Sequence, residues 1–205
     1  MLVNGQPLQP RQPKDAVRRG LGYLSDDRRA SGIVGKLGIR ENIGLGCLSL
    51  NSQFGVMKSI QERRLAEDTV AQMRIRCSSI EKSVAELSGG NQQKVVLGRW
   101  MAAGVDVLIL DEPTRGIDVG AKTEVYQLIN TLTAAGKAVI LVSSYLPEVL
   151  GMSDRVIVMR GGQITGEHPR DGITSEAVMY DATGQKRSEQ LPPLTTADLV
   201  MKEHQ

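Results

Sequence analysis

The chain has 205 residues, 40% of them hydrophobic, and its 25 Lys and Arg against 23 Asp and Glu leave a formal charge of only +2. That length supports the core of one full domain, with room for an inserted subdomain. So even a charge, without a Lys/Arg block, gives little electrostatic support for sequence-independent nucleic-acid binding, and 3% aromatic residues leave no platform for stacking bases.

The predicted elements run as follows. Leu2-Val3 and Gln6-Pro7-Leu8 flank Asn4-Gly5, a dipeptide that supplies the positive φ angles of a hairpin turn, so the chain is expected to begin in mid-fold. A short helix is predicted around Pro13 to Arg19, stopped by Gly20, then a strand over Leu21 to Leu24 leading into the charged turn Ser25-Asp26-Asp27-Arg28-Arg29. Residues 30 to 57 are rich in glycine and weakly periodic.

With Ser59 as N-cap, Ala66, Thr69-Val70 and Met73 give Ile60 to Met73 the spacing of an amphipathic helix. A second helix is predicted from Ser88-Gly89-Gly90 to Ala103, then a buried strand over Val105 to Leu110, a helix over Ala121 to Ala134 and a strand over Ala138 to Ser143. Strand, helix and strand at this spacing make a parallel βαβ unit. Arg155 to Met159 and Gln163 to Gly166, joined by Gly161-Gly162, make a second hairpin expected to close the sheet, and residues 185 to 205 read as a loosely held polar tail.

Cys47 and Cys77 have neither metal-ligand nor redox spacing and are expected to be small buried hydrophobes of a protein from a reducing compartment. His168 and His204 lie far apart, so no histidine cluster is available for a metal or for general base chemistry. No apolar run approaches the roughly 20 residues that span a bilayer, and the first residues lack the charged and apolar regions of a signal peptide.

Two motifs carry chemistry. Val105 to Leu110 delivers Asp111-Glu112 to the carboxyl end of a parallel strand, where ligands of α/β folds bind. Asp111 is placed there to hold Mg²⁺, through water, and Glu112 to orient or deprotonate a water attacking a phosphate. Pro113-Thr114 and Gly116-Ile117-Asp118 separate this pair from an ordinary acidic strand end.

The second motif, Leu87-Ser88-Gly89-Gly90-Asn91-Gln92-Gln93, opens a helix. A hydroxyl, unpaired amides and the positive end of a helix dipole converge there on one anion. No segment fits the glycine-rich loop ending in Gly-Lys-Ser/Thr that cradles nucleotide phosphates. Gly35-Lys36 is preceded by Ala30 and followed by Leu37, and Gly136-Lys137 is preceded by Thr131 and followed by Ala138.

On these residues the chain resembles the nucleotide-binding domains of ABC transporters, and in particular the second of the two domains fused in bacterial monosaccharide-import ATPases. By resemblance Leu87 to Gln93 is the signature, Val107 to Glu112 the Walker B strand, Gly116 to Gly120 the D-loop with Asp118, Tyr23 to Arg29 the Q-loop segment with Asp26 at its acidic position, and Ser144 the switch position that carries His in hydrolysing domains. The resemblance implies a P-loop NTPase-like α/β fold with a parallel sheet, an inserted helical subdomain and a small antiparallel β part, incomplete at its N-terminus. One partial domain is expected over 1–184, with a helical subdomain at about 32–100 and a Walker B and D-loop core at about 101–170.

It further implies ATP and Mg²⁺ as cofactors and a head-to-tail pairing with a second nucleotide-binding domain that carries a P-loop. In that pairing Ser88, Gly89, Gly90 and Gln92 complete the partner's ATP site. A transmembrane sugar permease, docked on residues 32 to 87 with Leu37 to Leu45 lining the groove, and indirectly a periplasmic sugar-binding protein are the other implied partners. The implied location is the cytoplasmic face of the bacterial inner membrane. Arg28, Arg29 and Arg115 are left open between a role at the site and ordinary solvated charge.

Overall fold

The computed structural model describes residues 2–3, 5–48 and 59–184, so the predicted polar tail lies outside the described residues. The chain divides into two compact units, Met1–Tyr145 and Leu146–Gln205.

The first unit opens with strands β1 (Leu2–Val3) and β2 (Gln6–Pro7), paired antiparallel with Leu2 opposite Pro7. Gly5 sits at φ +75° in the turn, as a tight hairpin requires. Helix α1 (Pro13–Arg18) starts on a proline, whose missing N–H costs nothing at that position, and Asp15 accepts from the Gln12 N–H at 3.1 Å. Strand β3 (Leu21–Leu24) follows.

Beyond β3 the charged turn winds into one π-helical turn over Arg28–Gly32, where the Asp27 carboxylate accepts from the Ala30 N–H at 2.9 Å. Helix α2 (Ile39–Gly44) then forms inside the stretch whose periodicity is too short to predict a helix. It is a short helix held by burial: Ile39, Asn42 and Ile43 are completely enclosed. The expected groove of Leu37 to Leu45 is therefore corrected in part, because its central residues build a core rather than a docking face.

Helix α3 (Ser59–Gln72) buries Ala66 and Thr69, the predicted stripe, with Met73 enclosed just beyond it. Helix α4 (Gly89–Ala102) packs on both α2 and α3. Its Gly98 faces Thr69, whose methyl would lie 2.6 Å from an added Cβ, so glycine sets how closely α4 and α3 approach.

Asn42 organises this helical layer. Its side-chain oxygen accepts from the Val34 N–H (2.9 Å) and an Arg99 guanidinium arm (3.2 Å), and its amide nitrogen faces the carbonyls of Val34, Leu37 and Gly38 at 3.0–3.3 Å. Arg99 also donates to the Asn42 carbonyl at 2.8 Å. Burial lowers the Arg99 pKa to about 10, because a guanidinium removed from water loses solvation that only these contacts replace.

Strands β4 (Val107–Asp111) and β5 (Ala138–Val142), joined by helix α5 (Val119–Ala134), form the predicted parallel βαβ unit. β3 pairs with β4 in parallel, so the sheet order is β3-β4-β5. One face is buried through Leu24, Leu108 and Leu110, and Gly22 leaves room there for the Trp100 indole of α4, 3.0 Å from where a Cβ would stand. The opposite face leaves Tyr23, Ile140 and Val142 about half exposed, although a parallel sheet is normally covered on both sides.

The second unit contains helix α6 (Leu146–Met152), the hairpin β6 (Arg155–Arg160) and β7 (Gln163–Pro169), and helix α7 (Ser175–Thr183). Val156, Val158 and Val178 form its core, with Val149 and Ile173 packed against them. Among the described strands the hairpin stands as its own two-stranded sheet. This corrects the expectation that it closes the parallel sheet.

Cys47 is enclosed, as expected of a small buried hydrophobe, and burial pushes its thiol up to about 11, whereas Cys77 is a free thiol only half-buried, short of that expectation. Asn42→Ala is expected to lower the unfolding free energy by about 2–4 kcal/mol, since it strands the buried Arg99 guanidinium arm and removes the partner of the Val34 N–H and of three carbonyls. Urea denaturation followed by circular dichroism measures it.

Candidate functional site

Asp111 ends β4 at the carboxyl edge of the sheet, and Glu112 is the first residue past it. Tyr23, on neighbouring β3, donates its hydroxyl to Asp111 Oδ2 at 3.0 Å. That hydrogen bond, with some desolvation and the negative charge of Asp111, raises the phenol above its usual pKa.

Glu112 adopts φ +46°, a left-handed backbone that a side chain with a Cβ enters at a cost of about 1–2 kcal/mol. Three hydrogen bonds hold it: its N–H donates to the Val142 carbonyl (2.8 Å), its carbonyl accepts from the Arg115 N–H (3.1 Å), and its carboxylate accepts from the Ser144 N–H (2.7 Å). Ser144, at the predicted switch position, thus meets Glu112 through its backbone. The next residue, Tyr145, stacks beneath Lys122 of α5, whose ammonium is 4.9 Å from the ring centre.

Among the described residues no group of three or more His, Cys, Asp or Glu gathers to hold a metal. Asp111 offers a single carboxylate, which suits a Mg²⁺ that keeps several waters and takes its remaining ligands from phosphate.

Asp26 pairs with Arg115 at 3.3 Å, tying the turn after β3 to the turn after β4. Arg28 is engaged as well: its Nε donates to Gln92 Oε1 and its Nη1 to Gln93 Oε1, each at 3.3 Å. For Arg28 and Arg115, left open between a role and ordinary solvated charge, these contacts give each a defined partner. Nothing in the sequence pairs Arg28 with residues more than sixty positions away.

The second motif lies at the start of α4. Ser88 is exposed, Gly89 half-buried and Gly90 buried. A Cβ at Gly90 would stand 2.4 Å from the Ala121 Cβ, so the first turns of α4 and α5 touch through a glycine. Asp118 caps α5, accepting from the Ala121 N–H at 2.9 Å. Ser88, Gly90, Asn91, Asp118 and Glu124 line a groove of about 240 Å³ between the two helix starts.

Gln92 is 6% exposed, and its amide faces the carbonyls of Val84, Ala85 and Leu87 at 3.1–3.4 Å. It stands as a support beneath the motif, whereas Ser88 is at the surface. The structure therefore forms two clusters: Asp111, Glu112, Tyr23 and Ser144 at the sheet edge, and Ser88, Gly90, Asn91 and Asp118 at the α4/α5 groove. Arg28 and Asn91 are the participants that the sequence motifs leave without a role.

A parallel sheet with an acidic pair at its carboxyl edge, beside a glycine-opened helix, is an arrangement in which α/β folds place ligands and helix starts favour anions. Residues 1–115 match the family model described as ABC transporter, and the chain belongs to that family. It is 51% identical over 185 residues to the ribose import ATP-binding protein RbsA 1 of Rubrobacter xylanophilus, covering 89% of this chain and 37% of that protein. It is 46% identical over 186 residues to the xylose import ATP-binding protein XylG of Thermoanaerobacter pseudethanolicus, covering 91% and 37%. The chain thus spans little more than a third of the length of these curated relatives. Among solved structures, cbiO1 of Clostridium perfringens, part of the ABC transporter complex cbiONQ, shares the fold with a TM-score of 0.68 at 19% identity, over 87% of this chain and 68% of that one.

Gly90→Ala is expected to force α4 and α5 apart and lower stability by about 1–3 kcal/mol. The compensating pair Gly90→Ala with Ala121→Gly is expected to recover most of that loss. Denaturant unfolding of the two single variants and the double variant measures the coupling directly.

Proposed function

We propose that the chain is an ATP-binding, energy-coupling part of an ABC importer for a monosaccharide, working as one side of a nucleotide sandwich. The observation that carries this reading is the exposed Ser88 at the start of α4, beside a groove shared with Asp118. Ser88, Gly89 and Gly90 present a hydroxyl, helix-start amides and the positive end of the α4 dipole outward, toward a terminal phosphate held by a second nucleotide-binding domain with its own P-loop. Asp118 shapes the same surface by fixing the start of α5.

Asp111 and Glu112 belong to a second phosphate site, at the sheet edge. Mg²⁺ bound there with ATP would neutralise charge on the phosphates. Asp111 would hold that ion through its water shell, and Glu112 would orient the attacking water and take its proton. Asp26, through Arg115, steadies the loop that follows Glu112. The half-exposed apolar sheet face of Tyr23, Ile140 and Val142 supplies packing surface for the remaining parts of that site in the longer assembly.

A transmembrane sugar permease contacts the helical layer around α2 and α3, and a periplasmic sugar-binding protein delivers the sugar to that permease. This places the chain on the cytoplasmic face of the bacterial inner membrane, peripheral through the permease. No described helix is long and apolar enough to cross a membrane. The family's imidazole is replaced by Ser144, which offers Glu112 only a backbone N–H. That substitution favours a second reading in which this chain's own carboxylate site does not hydrolyse and the chain acts as a regulatory module.

In an assembly with an ATP-binding domain that carries a P-loop, Ser88→Arg is expected to abolish ATP turnover, and the purified chain alone is expected to turn over negligible ATP. A coupled-enzyme assay for released ADP measures both. Turnover by the assembly that ignores Ser88→Arg contradicts the proposal in favour of the regulatory reading. Turnover by the chain alone that Glu112→Gln removes contradicts the incomplete-site part.

A further inference from the structure

We propose that Asn91 is a positioning residue that turns the Ser88 hydroxyl outward as a hydrogen-bond donor, and that residues 74–76, braced by Glu124, hold Asn91 in that orientation. The inference deepens the reading above and rests on it, since it concerns how Ser88 meets a phosphate.

The direction of each hydrogen bond follows from an obligate donor. Asn91 Oδ1 lies 2.9 Å from the backbone N–H of Arg76, and a backbone N–H only donates. The side-chain oxygen of Asn91 therefore faces Arg76, and its amide nitrogen faces Ser88 Oγ at 3.0 Å. An amide nitrogen also only donates, so the Ser88 oxygen is the acceptor in that contact and its proton points elsewhere. A serine at a helix N-cap normally accepts from an N–H of its own first turn. Ser88 makes no such capping bond, which leaves the hydroxyl proton available to an anion in the groove.

The element that supplies the Arg76 N–H is itself pinned. Arg74 adopts φ +51°, a costly backbone for a residue with a Cβ. Its carbonyl accepts from Lys94 Nζ at 3.0 Å. Lys94, on α4, is 2% exposed and pairs with Glu124 of α5, and Arg76 reaches the same carboxylate at 2.8 Å. The hydrogen bond from Lys94, together with the charges of Lys94 and Arg76, lowers the Glu124 carboxyl pKa. One carboxylate therefore joins the strap at 74–76, the α4 helix and the α5 helix about one turn beyond the Gly90/Ala121 contact. The path from Glu124 through Arg76 and Asn91 ends on the Ser88 oxygen.

The test is a double-mutant cycle on ATP turnover by the assembly with a P-loop-bearing domain. Asn91→Leu and Ser88→Ala are each expected to lower kcat/KM by about tenfold, the scale of one lost hydrogen bond. If Asn91 acts through the Ser88 hydroxyl, the double variant is no worse than Ser88→Ala alone. Multiplying losses would overturn the proposal, because they would mean that Asn91 acts by some other route.

Asn91→Asp keeps an acceptor for the Arg76 N–H but cannot donate to Ser88, so it is expected to fold normally and still fail to restore turnover. Wild-type turnover in Asn91→Asp would also overturn the proposal. Ser88→Arg separates the two levels of the account. If it leaves turnover intact, the signature reading falls and this inference falls with it. If it abolishes turnover while the cycle is multiplicative, only the positioning role fails.

Discussion

The contact between Gly90 and Ala121, where even one added carbon would stand 2.4 Å from its neighbour, sets the geometry on which the candidate site depends. Two helices whose first turns carry the candidate segments are pressed together at their starts, so Ser88 and Asp118 occupy one groove. Further along, the carboxylate of Glu124 draws Lys94 of α4 and Arg76 toward α5. A steric contact and a charged one, about a turn apart, restrict both the separation and the relative rotation of the two helices. Either alone would leave one of these free.

The sheet edge is organised by a different constraint. Glu112 sits in a backbone conformation unfavourable to its side chain, and bonds to Val142, Arg115 and Ser144 compensate for it. Strain of this kind persists only where the surroundings over-determine it, and it concentrates at functional positions. The Asp26–Arg115 pair and the Arg28 contacts to Gln92 and Gln93 make the turn after β3 a neighbour of both clusters. Residues 25–32 therefore contact both the turn that follows Glu112, through Asp26 and Arg115, and helix α4, through Arg28.

Much of this was legible from residue order, for reasons that differ by element. The βαβ unit from Val107 to Val142 is written in two apolar runs around an amphipathic helix, and its parallel register follows. The α5 helix begins two residues earlier than its apolar pattern suggests because Asp118 caps it. Helix α2 was not legible: six residues carry too little periodicity, and it exists because Ile39 and Ile43 are enclosed and Asn42 binds the surrounding carbonyls. The role of Gln92 was legible as part of a motif but not as a buried support, since burial depends on Val84, Ala85 and Leu87 folding beneath it. Arg28 and Asn91 acquire partners only in three dimensions, and no spacing rule on one chain announces such pairs.

The central claim is that Ser88 is presented to a nucleotide held by another domain. Its most direct test is a high-resolution structure of the chain assembled with a P-loop-bearing domain and a non-hydrolysable Mg²⁺–ATP analogue. The account predicts the terminal phosphate within hydrogen-bond distance of the Ser88 hydroxyl, with Asn91 still donating to the Ser88 oxygen. A nucleotide fully enclosed by the partner alone, with Ser88 facing solvent, would contradict it.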